Sequence, residues 1–320
     1  MIESTSYDRI LCYLAPIEKL LRDDEISEVI VNADRSVFIE RSGLLQRVDI
    51  VWDHDEYLGH ALRSIARMLG QDITPDAPTL DTRLPDGSRV AIAIPPVSPE
   101  GPTVTIRKFQ RRYFTLETLV RIGSLSEQLA ERLRTLVRDE KANILISGGT
   151  GAGKTSLLNA LVAEIPPEER LGIIEDTREI QVSAPNRFQF EARRDEPAVT
   201  IRDLVKASLR HRPDRLIIGE VRGPEAFDLI NALNTGHSGS IATVHANSAL
   251  LALSRLATLI LMEGAQWPVT SIKAAISDAV HYVVQVSRRP DGRRSVTGLL
   301  RVFGYDIQSD AFGAVDCLVI

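Results

Sequence analysis

Cysteine is nearly absent from this chain: two in 320 residues, Cys12 and Cys317, near opposite ends. Neither has a second cysteine or a histidine at ligand spacing. A disulfide framework and a metal knuckle are therefore not expected, and both read as thiols of a reducing compartment. Long hydrophobic runs are missing as well. The longest apolar stretch, residues 250–262, is broken by Ser254 and Arg255 and falls short of the roughly 20 residues that span a bilayer. The first ten residues, MIESTSYDRI, are acidic and have no apolar core, so no signal peptide is expected. Nor is there a basic excess: the net charge is −5, and the aromatics, 5% of residues, do not interleave with basic ones. Chains that coat nucleic acid need the opposite balance, so no stable nucleic-acid binding is expected. The expected location is cytoplasmic, with any membrane work done by peripheral docking at the inner face of the cytoplasmic membrane.

What is present is ordinary globular material, 44% hydrophobic and 25% charged, without repeats or low-complexity tracts. Its length allows two domains. The first hundred residues mix helix and strand signals. Residues 7–21 have near-helical apolar spacing, and 55–69 read as an amphipathic helix ended by Gly70. Short β-prone runs lie at 29–31, 37–39, 44–50, 89–94 and 104–106. A charge cluster, a Thr115 cap and a Gly-Ser break over 111–124 suggest a boundary, giving an α+β domain over 1–112 and a second domain over 113–320. A helix is read at 125–137. From Asn143 onward, short apolar strands (144–147, 171–174, 216–218, 241–244) alternate with longer helices. That pattern predicts an α/β fold, a parallel sheet covered by helices on both faces. Arg289-Pro290-Asp291-Gly292 reads as a hairpin turn before a last strand at 296–303.

The strongest motif is Gly148-Gly149-Thr150-Gly151-Ala152-Gly153-Lys154-Thr155, which fits GxxxxGK[ST] between an apolar strand and a helix beginning near Ser156. Glycines let backbone N–H groups curl around phosphate oxygens, and the helix N-terminus adds positive potential. Lys154 can reach the β- and γ-phosphates, and the Thr155 hydroxyl can ligate Mg2+. By average residue usage the four fixed positions recur by accident in such a chain on the order of one time in a hundred. The expected ligands are therefore ATP and Mg2+.

Hydrolysis also needs a group that orients water. Leu216-Ile217-Ile218-Gly219-Glu220 is an apolar strand ending in a carboxylate, the position of a Walker B acid. Gly219 stands where an Asp is usual, so Glu220 would reach Mg2+ only through water. Leu171-Gly172-Ile173-Ile174-Glu175-Asp176 offers a second strand-end carboxylate. Glu175 is expected to face the γ-phosphate as general base with a raised pKa, or else to be a structural acid paired with Arg178. His245 ends the 241–244 strand, where it can sense a γ-phosphate or serve a structural role.

Together the loop GGTGAGKT, the acidic box IIEDTREI, the stretch RPDRLIIGEVRGPEAFDLINALNTGHSG and the box GSIATVHANS resemble the secretion and traffic ATPases of type IV secretion, type II secretion and type IV pili. Within that family they look most like the conjugal-transfer members of the TrbB kind. The resemblance covers residues 80–285, about two thirds of the chain. It implies a RecA-like P-loop ATPase domain with a smaller N-terminal α+β domain, a ring-shaped homo-hexamer, and membrane partners among inner-membrane secretion or pilus channel proteins. It implies catalytic roles for Glu220, Glu175, Lys154 and His245. It also implies that N-terminal arginines approach the phosphates, which in this chain would be Arg83, Arg89 and Arg107, with Arg107 favoured. Arg210 and Arg222 are weaker candidates for coupling to a neighbouring subunit. The CxxC zinc element of some relatives is missing, so no zinc is expected. A pilus motor and a RecA-like nucleic-acid translocase are the rival readings.

Overall fold

The computed structural model describes residues 2–41, 43–50, 52, 57–109, 114–193, 197–262, 264 and 267–318. The chain falls into two compact units, residues 1–111 and 112–320.

In the first unit, the single helix expected over 7–21 is interrupted. Helix α1 (Ile2–Tyr13) gives way to a 3-10 turn at Ala15–Ile17 and then to α2 (Glu18–Arg22). Pro16 is the cause, because it lacks an N–H and its ring blocks the carbonyl one turn back. Strands β1 (Ile26–Val31), β2 (Val37–Arg41) and β3 (Leu44–Val48) follow, then α3 (Tyr57–Met68), β4 (Thr79–Arg83), β5 (Arg89–Ala93) and β6 (Thr103–Arg107). Position 55, where the α3 helix was expected to begin, lies outside the described residues. The six strands form one antiparallel sheet in the order β3-β2-β1-β6-β5-β4. Alternation turns Val90, Ile92, Val104 and Ile106 inward, onto Leu62 and Ile65 of α3. The outward positions of the same strands are Arg89, Ala91 and Ala93 on β5 and Thr103, Thr105 and Arg107 on β6.

The second unit begins with α4 (Leu116–Arg121), which starts at the cap expected at Thr115 and ends before Gly123-Ser124, and α5 (Glu127–Arg138). Each starts at a hydroxyl cap: Thr118 N donates to Thr115 Oγ1, and Leu129 N to Ser126 Oγ, both at 3.2 Å. Next come β7 (Ile144–Gly148), α6 (Lys154–Val162), β8 (Leu171–Glu175), β9 (Arg187–Glu191), α7 (Ile201–Ser208), β10 (Arg215–Val221), α8 (Glu225–Asn234), β11 (Ile241–Val244), α9 (Ala249–Met262), α10 (Val269–Ala279), β12 (Tyr282–Arg288), β13 (Arg294–Asp306) and β14 (Ala311–Asp316). The sheet order is β14-β13-β12-β7-β11-β10-β8-β9. It is parallel from β12 to β9, and β13 and β14 extend it antiparallel. Ile144 and Ile146 face a core built with α5 and α6, while Leu145 faces a second core built with α8, α9 and α10. Covering both faces explains why β7, β8 and β11 read as unbroken apolar runs.

The root of β10 is locked by Arg215, which is fully buried. Its guanidinium makes two 2.7 Å bonds to the Glu169 carboxylate and a third to Val137 O. The opposite, carboxyl end of this strand carries Glu220, so the ion pair anchors the strand that presents a candidate catalytic group.

Candidate active site

Strand β7 ends in Gly148, the loop turns over residues 149–153, and α6 starts at Lys154. The turn needs left-handed backbone at Gly151 (φ 68°) and Gly153 (φ 99°), which glycine adopts without Cβ strain. Between them the Ala152 side chain is buried in the core and pins the loop down. Lys154 is buried too. Its Nζ donates to Gly148 O (3.0 Å) and Gly149 O (3.1 Å) and lies 3.3 Å from both ring nitrogens of His245. Thus the P-loop lysine and the histidine of the β11 end, 91 residues apart in sequence, meet in space.

His245 reaches further along the strand tips. Its Nε2 lies 2.9 Å from Glu220 Oε1. Among the described residues no donor is aligned on that oxygen, which is buried without a hydrogen bond, while Oε2 accepts from Arg222 Nη2 at 2.6 Å. Burial, reinforced by the Lys154 charge, pulls the His245 pKa below its usual value despite Glu220. The imidazole is therefore neutral at pH 7, with one nitrogen able to donate and the other to accept. A register irregularity between Ile218 and Val221 re-aims the end of β10 where Glu220 sits. Gly219 occupies that irregularity, and Thr243 Oγ1 donates to its carbonyl at 2.6 Å. A Cβ at position 219 would stand 3.1 Å from Glu175 Cγ. An Asp at this position would crowd the neighbouring strand's buried glutamate, which would have to give by a few tenths of an ångström.

Glu175 is held inside the acidic box. It is 2% exposed. Oε1 accepts from the amides of Glu179 and Ile180, and Oε2 from Gln189 Nε2, all at 2.7 Å. Nor does it pair with Arg178. Three donors tie it to the loop after β8 and to β9, so it organises the acidic box. Burial raises its pKa to about 7, as expected, against the lowering pull of its three donors and with a smaller upward push from the Glu179 charge. The acidic box instead sends Glu179 to the P-loop: Thr155 Oγ1 lies 3.3 Å from Glu179 Oε2. Sequence reading passed over Glu179 because nothing in its spacing separates it from Glu175 and Asp176; only the fold of the loop does. The hydroxyl of Thr155 and the carboxylates of Glu179 and Glu220 are hard oxygen donors, a set that suits Mg2+.

The three arginines of the first unit are brought together. Arg83 is the cross-strand partner of Arg89, Arg89 of Arg107, and Arg107 of Glu28, a row across β4, β5, β6 and β1. Asp81 holds Arg89 through two bonds, of 2.9 and 2.5 Å. Of the weaker candidates, Arg222 bridges Glu220 and approaches Asp176 at 3.7 Å, and Arg210 is exposed in a 3-10 turn at Leu209–His211. The hairpin turn expected at residues 289–292 is present, and just beyond it stands Arg294, not singled out from sequence, whose Nε donates to Gly151 O of the P-loop at 2.9 Å.

Residues 12–296 match the family described as Type II/IV secretion system protein. The chain belongs to this family. Among its relatives, a protein described as a probable conjugal transfer protein TrbB from Sinorhizobium fredii is 37% identical over 300 residues, covering 91% of this chain and 89% of the relative. The type IV secretion system protein PtlH of Bordetella pertussis is 36% identical over 311 residues, covering 87% of this chain and 90% of PtlH. Among solved structures, the VirB11 ATPase of the Brucella suis type IV secretion system, in complex with sulphate, is similar at 32% identity and a TM-score of 0.50. That match covers 93% of this chain and 96% of that one. The secretion-family match spans both units. The fold is that of a secretion ATPase: a RecA-like P-loop domain with a smaller N-terminal α+β domain.

Proposed function

We propose that this chain is an ATP hydrolase that powers a type IV secretion apparatus of the conjugal-transfer kind. Support comes from the family, from relatives named for conjugal transfer and type IV secretion, and above all from one arrangement: Lys154, His245 and Glu220 in contact at the strand tips. A nucleotide's β- and γ-phosphates lie on the P-loop, where Lys154 exchanges its loop carbonyls for phosphate oxygens. His245, neutral and beside Lys154, hydrogen-bonds the γ-phosphate. Glu220 Oε1, already dehydrated and lacking a donor, accepts a hydrogen bond from the attacking water and orients it. Thr155, with Glu179 beside it and Glu220 through water, holds Mg2+, which when bound neutralises charge on the phosphates. Glu175 keeps the acidic-box loop in place. The working form is a homo-hexamer docked on inner-membrane channel proteins from the cytoplasmic side. Among the described residues no helix is long and apolar enough to cross a membrane. No observation favours a pilus motor or a nucleic-acid translocase over this reading.

The test is phosphate release by the purified chain. Lys154→Ala abolishes turnover, and Glu220→Gln retains nucleotide binding while losing hydrolysis by at least about a hundredfold. Wild-type rates from Lys154→Ala protein would defeat the assignment.

A further inference from the structure

The β12–β13 hairpin touches the P-loop at its start and at its crown. At the start, β12 runs parallel to β7 with Val286 in register with Gly148. A Cβ on Gly148 would stand 2.4 Å from Val286 O, so this contact admits only glycine. At the crown, Arg294 Nε donates to Gly151 O at 2.9 Å, and its Cδ lies 3.1 Å from where a Cβ on Gly153 would be. Arg288 brings Nη1 to 3.7 Å from the corresponding point on Gly151. Arg288 and Arg294 are direct cross-strand partners. Like charges set opposite one another weaken a hairpin, and this pair stands beside a loop built to receive a polyanion. The bond from Arg294 also turns the Gly151 carbonyl toward the hairpin. A carbonyl oxygen left facing a phosphate would repel it.

We propose that Arg288 and Arg294 are a phosphate-side clamp of the nucleotide site. Arg294 is the positioning residue that holds the Gly151–Gly153 turns in their polyphosphate-receiving form, and Arg288 adds charge that retains the bound nucleotide. This rests on the ATPase reading above and assigns to the hairpin a role in binding that the P-loop motif does not contain. Arg293 is the built-in control. It lies in the same hairpin with the same charge, but it is exposed and its side chain approaches Asp291.

The experiment measures MgADP affinity by calorimetry, the KM and kcat for MgATP, and the thermal midpoint of the full chain. Arg294→Ala raises Kd and KM roughly tenfold, the worth of one charge-assisted hydrogen bond, with kcat within about twofold. Arg294→Lys keeps the charge but not the Nε bond, and remains several-fold weakened. Arg288→Ala weakens MgADP binding more at low salt than at high salt. Arg293→Ala leaves both constants at wild-type values. The proposal is overturned if folded Arg294→Ala binds MgADP like wild type, if it loses kcat with Kd unchanged, or if Arg293→Ala weakens binding as much. Should Arg294→Ala fail to fold, Arg294→Lys and Arg288→Ala decide by the same readings. Normal turnover by Lys154→Ala would instead bring down the ATPase reading itself.

Discussion

Glu175 shows how little a residue's type says about its task. As a strand-end carboxylate in an acidic box it looked like a base; its three donors and burial make it the peg of a loop. The same burial makes its ionisation cost stability. A carboxyl whose pKa rises on folding, here from 4.5 to about 7, stabilises fully below its unfolded pKa, and that contribution is lost as pH climbs through the folded one. The rise corresponds to on the order of 3 kcal/mol. Wild-type protein therefore loses stability relative to Glu175→Gln between pH 5 and pH 8. Thermal melts of the two at both pH values check this; parallel pH dependence would refute it. Lys154 and Thr155 were legible as residues because their motif fixes their partners within eight positions. Glu179 was not, because its partner Thr155 is reached across a loop.

At the scale of elements, the irregular end of β10 is the feature that sets Glu220. Restoring the usual acid by Gly219→Asp puts a side chain against Glu175 Cγ, and costs about 1–3 kcal/mol through overpacking, with added repulsion between two carboxylates. A lowered thermal midpoint together with slower hydrolysis is the expected result, and an unchanged midpoint would show that the space is not limiting. At the other end of the strand, Arg215→Met strands the Glu169 carboxylate, which is 8% exposed. Its carboxyl is held below the usual range, first by Arg215 and with a smaller contribution from Lys141. Loss of one buried partner costs about 3–5 kcal/mol, read as a shift of the urea midpoint at pH 7. Of the elements, those with strong periodicity or apolar runs could be read directly: α3, α5, β7, β8, β10 and β11. Strands β4, β9 and β14 escaped because none is an apolar run. Strand β12 was missed although apolar, since its sequence follows a helix without a turn signal.

On the scale of the whole molecule, the family match and the relatives at 36–37% identity make a motor of secretion the reading to test. If the working form is a hexamer, light scattering of the purified chain with a non-hydrolysable ATP analogue gives a mass near six times the 35.3 kDa subunit. A monomer at tens of micromolar with the analogue bound would count against it. The arginine row across β4, β5 and β6 belongs to this scale as well: its members are 6 to 24 positions apart in sequence and share one sheet edge only because the strands pair in register.

Chemistry that is local in sequence was determined by the sequence alone. A phosphate loop needs its glycines, lysine and threonine within eight residues, and parallel strands buried on both faces announce themselves as apolar runs. What the tertiary structure decided is every relation between chain segments: His245 against Lys154, Glu179 on Thr155, Glu175 close against Gly219, and Arg294 on Gly151. These depend on strand order, register and the path of loops. Groups set tens of residues apart come within 3.3 Å through the pairing of the whole sheet, and no local pattern encodes that.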